Sequence, residues 1–414
     1  MAKLMLNWQN KDSLRKHAFS FTTLFILPIA IFSSKAMVPL FILLAVALIA
    51  LNVADKDRKF SFPKLPVVAF LILLLWAIAS LLWTFDSGVS RKLILPLTAL
   101  FGLGVFILSE IKFAPLPAHE ITEKLLIIGA AIAIAVPVFE SVIVVLGNNW
   151  PEPLIFKIEI FLKNGIVILS ILLWPIMSVL VRRRHFLGTA VSFVLTLYLV
   201  FRFSAAAVLI AMTASVIGIS IAHFQRKLAS IIIGGMFLIL LLGTPFLVYQ
   251  FTANKSVNEI GQFSYELKLP NSTTHRLLIW QFVTQRIFEK PFLGWGVNTA
   301  RKIPGNGKKF TLKVDTPNNK KIILFKESFL PLHPHNASLQ IWLELGAVGA
   351  IIFAVFGWIF IRKLEDDDTD PVLFGVVISI LAFNFISFGV WQSWWISTQF
   401  LCLGLTLVIT RRNV

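Results

Sequence analysis

His333 and His335 stand on either side of Pro334, in the run Leu332-His333-Pro334-His335-Asn336. An imidazole is the side chain best suited to take up a proton near neutral pH. Pro334 restricts His333 to an extended backbone. His335 then falls at or just before the start of a helix over Ala337-Ser338-Leu339-Gln340-Ile341-Trp342. A helix N-terminus favours the neutral form of a histidine and attracts anions. The pattern suits a general base beside an anionic substrate, with a capping or packing histidine as the plainer alternative. The pair could also hold a metal ion, but no Cys or acidic partner is close in sequence. Asp366, Asp368 and Asp370 are acidic in the right pattern but belong to a different loop, on the other side of the membrane in the topology below.

A second cluster lies upstream. Thr273-Thr274-His275-Arg276-Leu277-Leu278-Ile279-Trp280 begins a helix that Ser272, Thr273 or Thr274 can cap and Pro291 ends. At helical spacing, Arg276 shares a face with Trp280, Val283 and Ile287. An arginine on an apolar stripe either snorkels to lipid headgroups or offers its planar fork to a phosphate. The segment Pro291-Phe292-Leu293-Gly294-Trp295-Gly296 follows and reads as a tight turn with close backbone approach. Arg91, after the turn Trp83-Thr84-Phe85-Asp86, and Arg202, in the turn before Ser204, are further cations on the same side. Trp391, Trp394 and Trp395 form a Trp-rich turn of the kind seen in aromatic belts.

These residues must be held by elements built for a membrane. The chain has 414 residues, 57% hydrophobic and only 14% charged. Its mean hydropathy is +0.82. Soluble domains run near 45–50% apolar and about 25% charged, so a soluble enzyme, a disordered chain and a fibre are excluded. One cysteine, Cys402, leaves no disulfide framework. Apolar runs long enough to span a bilayer number about twelve: 18–34, 36–53, 65–84, 92–110, 124–147, 165–181, 186–201, 204–222, 228–250, 338–361, 371–389 and 395–410. The first lacks a small-residue cleavage site and reads as a span rather than a signal peptide. The expectation is an all-α polytopic membrane protein in three parts: spans one to nine (1–250), a periplasmic loop with interfacial helices (251–337), and spans ten to twelve (338–414).

Orientation follows from the basic residues. With both termini in the cytoplasm, the cytoplasmic segments hold 19 Lys and Arg and the short outer loops hold six. The long outer loop 251–337 holds the other 13, against five acids, for a net charge of +8. Long translocated loops escape the charge rule, but so much charge of one sign on the outer face fits an anionic ligand. The loop is expected to be ordered, with a mobile tip near 303–320. Net charge of +17 overall is thus explained without nucleic acid.

Together these features resemble the O-antigen ligase family, within a superfamily that includes O-antigen polymerases. The carrying residues are His275-Arg276-Leu277 with Ile279-Trp280, the Pro291-x-x-Gly294-x-Gly296 turn, and His335-Asn336-x-x-Leu339-Gln340 with Glu344-Leu345-Gly346-x-x-Gly349. The Trp83 to Asp86 turn is similar to the family's first outer loop. The motif likeness covers residues 273–349. Arg202-Phe203-Ser204-Ala205-Ala206 departs from the Ser-Arg pair of many relatives, so Ser204 takes no role.

The resemblance implies a metal-independent, cofactor-free, inverting glycosyltransferase with a GT-C-like fold in the bacterial inner membrane. The donor would be a glycan on undecaprenyl pyrophosphate and the acceptor a sugar hydroxyl of lipid A–core, with membrane lipids around them. His335 would be the general base and Arg276 the pyrophosphate ligand. Arg91, Arg202, Arg301, His333, Asn336 and Trp280 are further candidates for substrate contact. A polymerase, a protein O-oligosaccharyltransferase and a lipid-linked glycan transporter are the alternatives. The transporter predicts ionisable residues lining a route through the spans, whereas here the charge crowds one outer loop.

Overall fold

The structure is a computed structural model describing residues 11–55, 64–113, 119–146, 152–203, 205–316, 321–366 and 368–410. Lys3, Lys56, Arg58, Lys59, Ser204, Arg411 and Arg412, which entered the sequence reading, lie outside these residues. The described helices run, in chain order, α1 (Lys11–Phe32), α2 (Met37–Val53), α3 (Lys64–Ala79), α4 (Ser87–Phe113), α5 (His119–Leu146), α6 (Glu152–Arg182), α7 (Phe186–Arg202) and α8 (Ala206–Phe224). They continue as α9 (Arg226–Leu238), α10 (Thr244–Thr252), α11 (Val257–Glu266), α12 (Asn271–Glu289), α13 (Ala337–Arg362), α14 (Val372–Ile386) and α15 (Ser393–Thr410). Each of the twelve apolar runs falls on a helix.

Among the described residues, nine helices are long and apolar enough to cross a membrane; α7 and α14 are apolar but shorter. The protein is therefore a helical, multi-pass membrane protein. It is not purely helical. Lys309–Asp315 (β1) and Lys321–Ser328 (β2) form an antiparallel hairpin. This corrects the expected mobile tip at 303–320: its described part is a turn followed by a strand, while 317–320 lie outside the described residues.

The core forms where helices are apolar all round, as a helix enclosed by others must be. α6 is the clearest case, with Ile166, Ile168, Leu169, Ile171, Leu172 and Leu173 all fully buried. It packs against α1, α7, α14 and α15.

Two irregular helices shape the end of the fold that carries the histidine turn. Between α9 and α10, residues Ile239–Gly243 form a π-turn. Such a turn loosens the carbonyl ladder. The Leu241 carbonyl accepts from Ser338 Oγ at 2.7 Å and Trp342 Nε1 at 2.9 Å, which ties it to α13.

α13 breaks at Gly346, whose φ of 66° and ψ of −168° leave the helical region. The Pro291–Gly296 segment fills the break. Trp295 and Gly296 N–H groups donate to the carbonyls of Leu343 (2.8 Å) and Glu344 (2.9 Å), and Ala347 N–H donates to Pro291 O (2.8 Å). Freed backbone groups at membrane depth must be satisfied by protein, and here one loop does it. A Cβ on Gly346 would stand 2.2 Å from Phe292 O, and one on Gly294 would stand 2.6 Å from the Glu344 carbonyl carbon. The two glycine motifs of the sequence are therefore the two halves of one backbone contact.

Candidate active site at the head of α13

Asn336 is the N-cap of α13. Its side chain accepts from Leu339 N at 3.0 Å and its Nδ2 donates to Phe385 O at 2.8 Å. Both ends of the amide are thus committed to the protein, which places Asn336 as a cap beneath the site. His335, just before it, has φ of +56°. That left-handed conformation is uncommon outside glycine, though histidine tolerates it better than most. It is held by two bonds. His335 N–H donates to His333 Nδ1 at 3.2 Å, and His335 Nδ1 lies 2.7 Å from Ser387 O. The two rings are 4.2 Å apart between centroids.

The Ser387 contact fixes the tautomer. A carbonyl only accepts, so Nδ1 of His335 carries the hydrogen and Nε2 keeps its lone pair. Burial lowers the His335 pKa from its ordinary 6.5, the Ser387 bond opposes this, and the Arg276 charge adds to the lowering. The ring is neutral at pH 7. His333 is pushed down further, to about 3, by burial first and then by His335, Arg301 and Arg276. It is a neutral positioning group. Its Nδ1 accepts from His335 N–H, and on the other side of the ring Gln392 Nε2 lies 3.1 Å from its Nε2.

Arg276 lies on α12, one turn before Trp280, whose Nε1 donates to Pro334 O at 2.9 Å. That bond fastens the α12 face to the histidine turn, and Arg276 is close enough for its charge to act on both rings. Burial lowers its own pKa, yet a guanidinium stays charged at any physiological pH. α12 starts at Asn271 with Pro270 as N-cap and no side-chain cap, so the Ser272, Thr273 or Thr274 cap expected from sequence is not used. Val283 and Ile287 are fully buried below Arg276, as the stripe predicted.

Arg301 follows the Gly296 turn and faces the same space. It lines a cavity of about 20 Å³ with Asn298, His333, Gln340, Glu344 and Gln392, room for about one water. The other two arginines stand apart. The Arg91 guanidinium bonds to Ser87 O and Oγ of its own helix, both at 3.2 Å. Arg202 ends α7, 3.8 Å from Glu140 and stacked on Phe203. Arg91 thus meets Ser87, and Arg202 meets Glu140 and Phe203, so the charge rule that groups these loops does not make them one site.

Sequence reasoning missed the support under this site. Glu344 is fully buried on α13. Its carboxylate accepts from Trp391 Nε1 at 2.6 Å, Gln340 Nε2 at 3.1 Å, Ala300 N at 3.4 Å and the Asn298 N–H. Gln340 Oε1 in turn accepts from Val390 N at 3.0 Å. One carboxylate thus joins the turn bearing Arg301, the α14–α15 loop and the head of α13. An acid inside an apolar span is itself a functional signal, and that signal was available. Trp391 and Trp395 are also recast. Both are buried, Trp395 donating to Asn384 Oδ1 at 2.7 Å, so they are internal bonds rather than an aromatic belt. The turn Trp83–Asp86 belongs here too: Phe85 N donates to Trp295 O at 3.0 Å and Trp83 Nε1 to Leu293 O at 3.1 Å.

Comparison with known proteins points to one family. A family model described as O-Antigen ligase matches residues 190–354, which contain Arg276, Arg301, both histidines and Glu344. The chain is 28% identical over 260 residues to a "Putative polysaccharide ligase" of Rickettsia bellii, covering 61% of this chain and 59% of that one. It is 30% identical over 264 residues to one of Rickettsia felis (61% and 59%) and 33% identical over 146 residues to one of Rickettsia conorii (34% and 33%). The chain thus spans three fifths or less of the length of these curated relatives. No solved structure matches. The histidine turn, the α12 arginine and the interlocked glycine motifs all lie within residues 190–354, the part of the chain that is similar to the O-antigen ligase family.

Proposed function

We propose that the protein is an inverting, metal-independent glycosyltransferase of the O-antigen ligase type. It takes a glycan from undecaprenyl pyrophosphate and joins it to a sugar hydroxyl of lipid A–core. The observation that carries this is the Ser387 bond to His335 Nδ1, which leaves Nε2 as a neutral base beside Arg276. The acceptor hydroxyl gives its proton to Nε2, and its oxygen attacks the anomeric carbon on the face opposite the pyrophosphate. The bond from that carbon to the phosphate oxygen breaks, its electron pair leaves with undecaprenyl pyrophosphate, and the configuration inverts.

Arg276 and Arg301 oppose the charge that grows on the leaving group. Fixed cations at a partly dry site stabilise it without having to reorganise. The N-terminus of α13 adds a favourable field for the same anion. A mainly apolar cavity of about 210 Å³ lies below, lined by Phe101, Phe237, Leu241, Ala337, Phe385 and Phe400 among others. Ala337 is two residues from His335, so apolar chain of a lipid-linked donor can lie next to the reacting group. In this reading the protein sits in the inner membrane with the site on the periplasmic side and both termini in the cytoplasm.

The test uses purified protein, undecaprenyl-pyrophosphate glycan and lipid A–core, with and without EDTA. Joined product at an undiminished rate in EDTA is expected. His335→Ala should keep donor binding and lose about 10²–10⁴-fold in kcat, the usual worth of a positioned base. Retained turnover in that variant removes the base assignment. Replacing the acceptor with a second lipid-linked repeat unit, and seeing it used instead, would make the protein a polymerase.

A further inference from the structure

Arg276 and Arg301 explain two of the 13 cations in residues 251–337. The hairpin places four more. β1 and β2 pair with Lys309 opposite Ser328, Thr311 opposite Lys326, Lys313 opposite Ile323 and Asp315 opposite Lys321. Opposed residues, and alternate residues along a strand, share one face of a sheet. Lys309, Lys313, Lys321 and Lys326 therefore project from the same side, and all four are exposed.

A bulge makes this possible. Lys321 and Lys326 are five apart, an odd number that would send them to opposite faces of a regular strand. The irregularity between Leu312 and Lys313 shifts the register and brings them together. The other face is the hairpin's core: Phe310 and Leu312 pack with Ile260 and Leu278 of α11 and α12. Among the described residues, Asp315 is the one acid on the lysine face, and none of the four lysines makes an ion pair. By strand geometry each stands about 8 Å from its nearest neighbour, two residues along and one strand across. That matches the Debye length of about 8 Å at physiological salt, so their fields add.

Lysines also guard sheet edges against pairing, but that task does not need them on one face. The hairpin is moreover wired to the candidate site. His275 Nε2 lies 2.9 Å from the carbonyl of Ser328, the last residue of β2. His275 precedes Arg276, and Ser328 is five residues before His333.

We propose that this face binds a polyanionic glycan, holding phosphate groups of the acceptor substrate while its hydroxyl reaches His335. The proposal rests on the transfer reading above for the identity of the ligand, and not for its test. Four flexible ammonium groups spread over a flat face suit several anionic groups on one chain better than a single anion, for which an arginine fork is the better tool.

The test is equilibrium binding without donor. Full-length protein in nanodiscs of neutral lipid is titrated with a soluble oligosaccharide carrying several phosphate monoesters, and with the same oligosaccharide after phosphatase treatment. The phosphorylated form should bind about tenfold more tightly, the sum of four modest exposed charge contacts. The combined Lys309→Gln, Lys313→Gln, Lys321→Gln and Lys326→Gln variant should lose that preference with an unchanged melting temperature. The corresponding four Lys→Arg changes should restore it. Equal affinities in the unmutated protein, or an intact preference in the Gln variant, would overturn the proposal. So would a preference that vanishes when the nanodisc is made of anionic lipid, because the lysines would then face headgroups. His335→Ala should keep the preference for the phosphorylated form, so failure of the base assignment and failure of this proposal are separate outcomes.

Discussion

His335 sits at a backbone angle that costs free energy, of order 1–3 kcal/mol for residues in sparsely populated regions. The Ser387 and His333 bonds offset it and leave Nε2 without a hydrogen bond among the described residues. As the proposed base, the neutral ring is the working form. Because burial and Arg276 hold its pKa below 6.5, kcat should stay on its plateau as pH falls through 6.5 and decline only below that. A pH–rate profile with both substrates saturating measures this, and an acid limb centred at or above 6.5 contradicts it. Glu344 makes the second residue-scale prediction. An amide at this position has one acceptor oxygen and turns an NH₂ against the remaining donors. Glu344→Gln should cost about 1–3 kcal/mol, the usual penalty for stranded buried polar groups. It should also loosen the turn that carries Arg301, so apparent donor affinity falls more than kcat does. An unchanged melting temperature with an unchanged donor KM would show that the carboxylate supports neither.

The broken helix α13 is the element on which the site depends. Its first half is almost wholly buried and points its capped N-terminus at the histidine turn, while the break at Gly346 admits the Pro291–Gly296 loop. Gly346→Ala must place a Cβ 2.2 Å from Phe292 O at a positive φ. It should lower the melting temperature by several degrees, as misfit alanines at left-handed glycine sites do. Gly102→Ala on α4 is the control: nothing lies within 4 Å of its Cβ, so the change should be neutral or stabilising by up to about 1 kcal/mol. Equal melting temperatures for the two variants would refute the interlock. Much of this element was legible beforehand. Long apolar runs mark helices by length alone, and the glycines at 294 and 296 marked tight approach, whereas those at 346 and 349 entered only through the family resemblance. Their mutual contact was not legible, because it joins segments some 50 residues apart through backbone bonds that carry no side-chain signature. The hairpin was hidden for another reason. Lys309–Asp315 alternates polar with apolar residues, but β2 carries a bulged register and reads as an apolar stretch with charged ends. Arg202 was grouped with the site because the charge rule assigns its turn to the same side, and periodicity says nothing about which helices become neighbours.

At the scale of the whole molecule, the proposed site works only if it faces the compartment opposite Arg182–Arg184. Three crossings separate them: α7, α8, and the continuous unit of α9, the π-turn and α10. The second of these is 19 residues long and the third spans Arg226–Thr252. α7 is the weak link at 17 residues. At 1.5 Å per residue it is about 26 Å long, against a hydrocarbon core near 30 Å. A helix this short crosses by thinning the bilayer or by letting flanking residues snorkel, and α7 is flanked by Arg184 and Arg202, which can do so. Thiol labelling in intact cells decides the parity. With Cys402 replaced by Ala, a cysteine at Lys308 should react with a membrane-impermeant maleimide, and one at Arg184 should react only after permeabilisation. Both native positions are exposed in the fold, so protection at Arg184 would report the membrane and not burial. Labelling of both from outside would mean that α7 or α8 lies along the surface. Arg276, His335 and the lysine face would then have to share a compartment with the basic cluster at Arg182–Arg184, and the charge asymmetry between the two sides of the protein would lose its explanation.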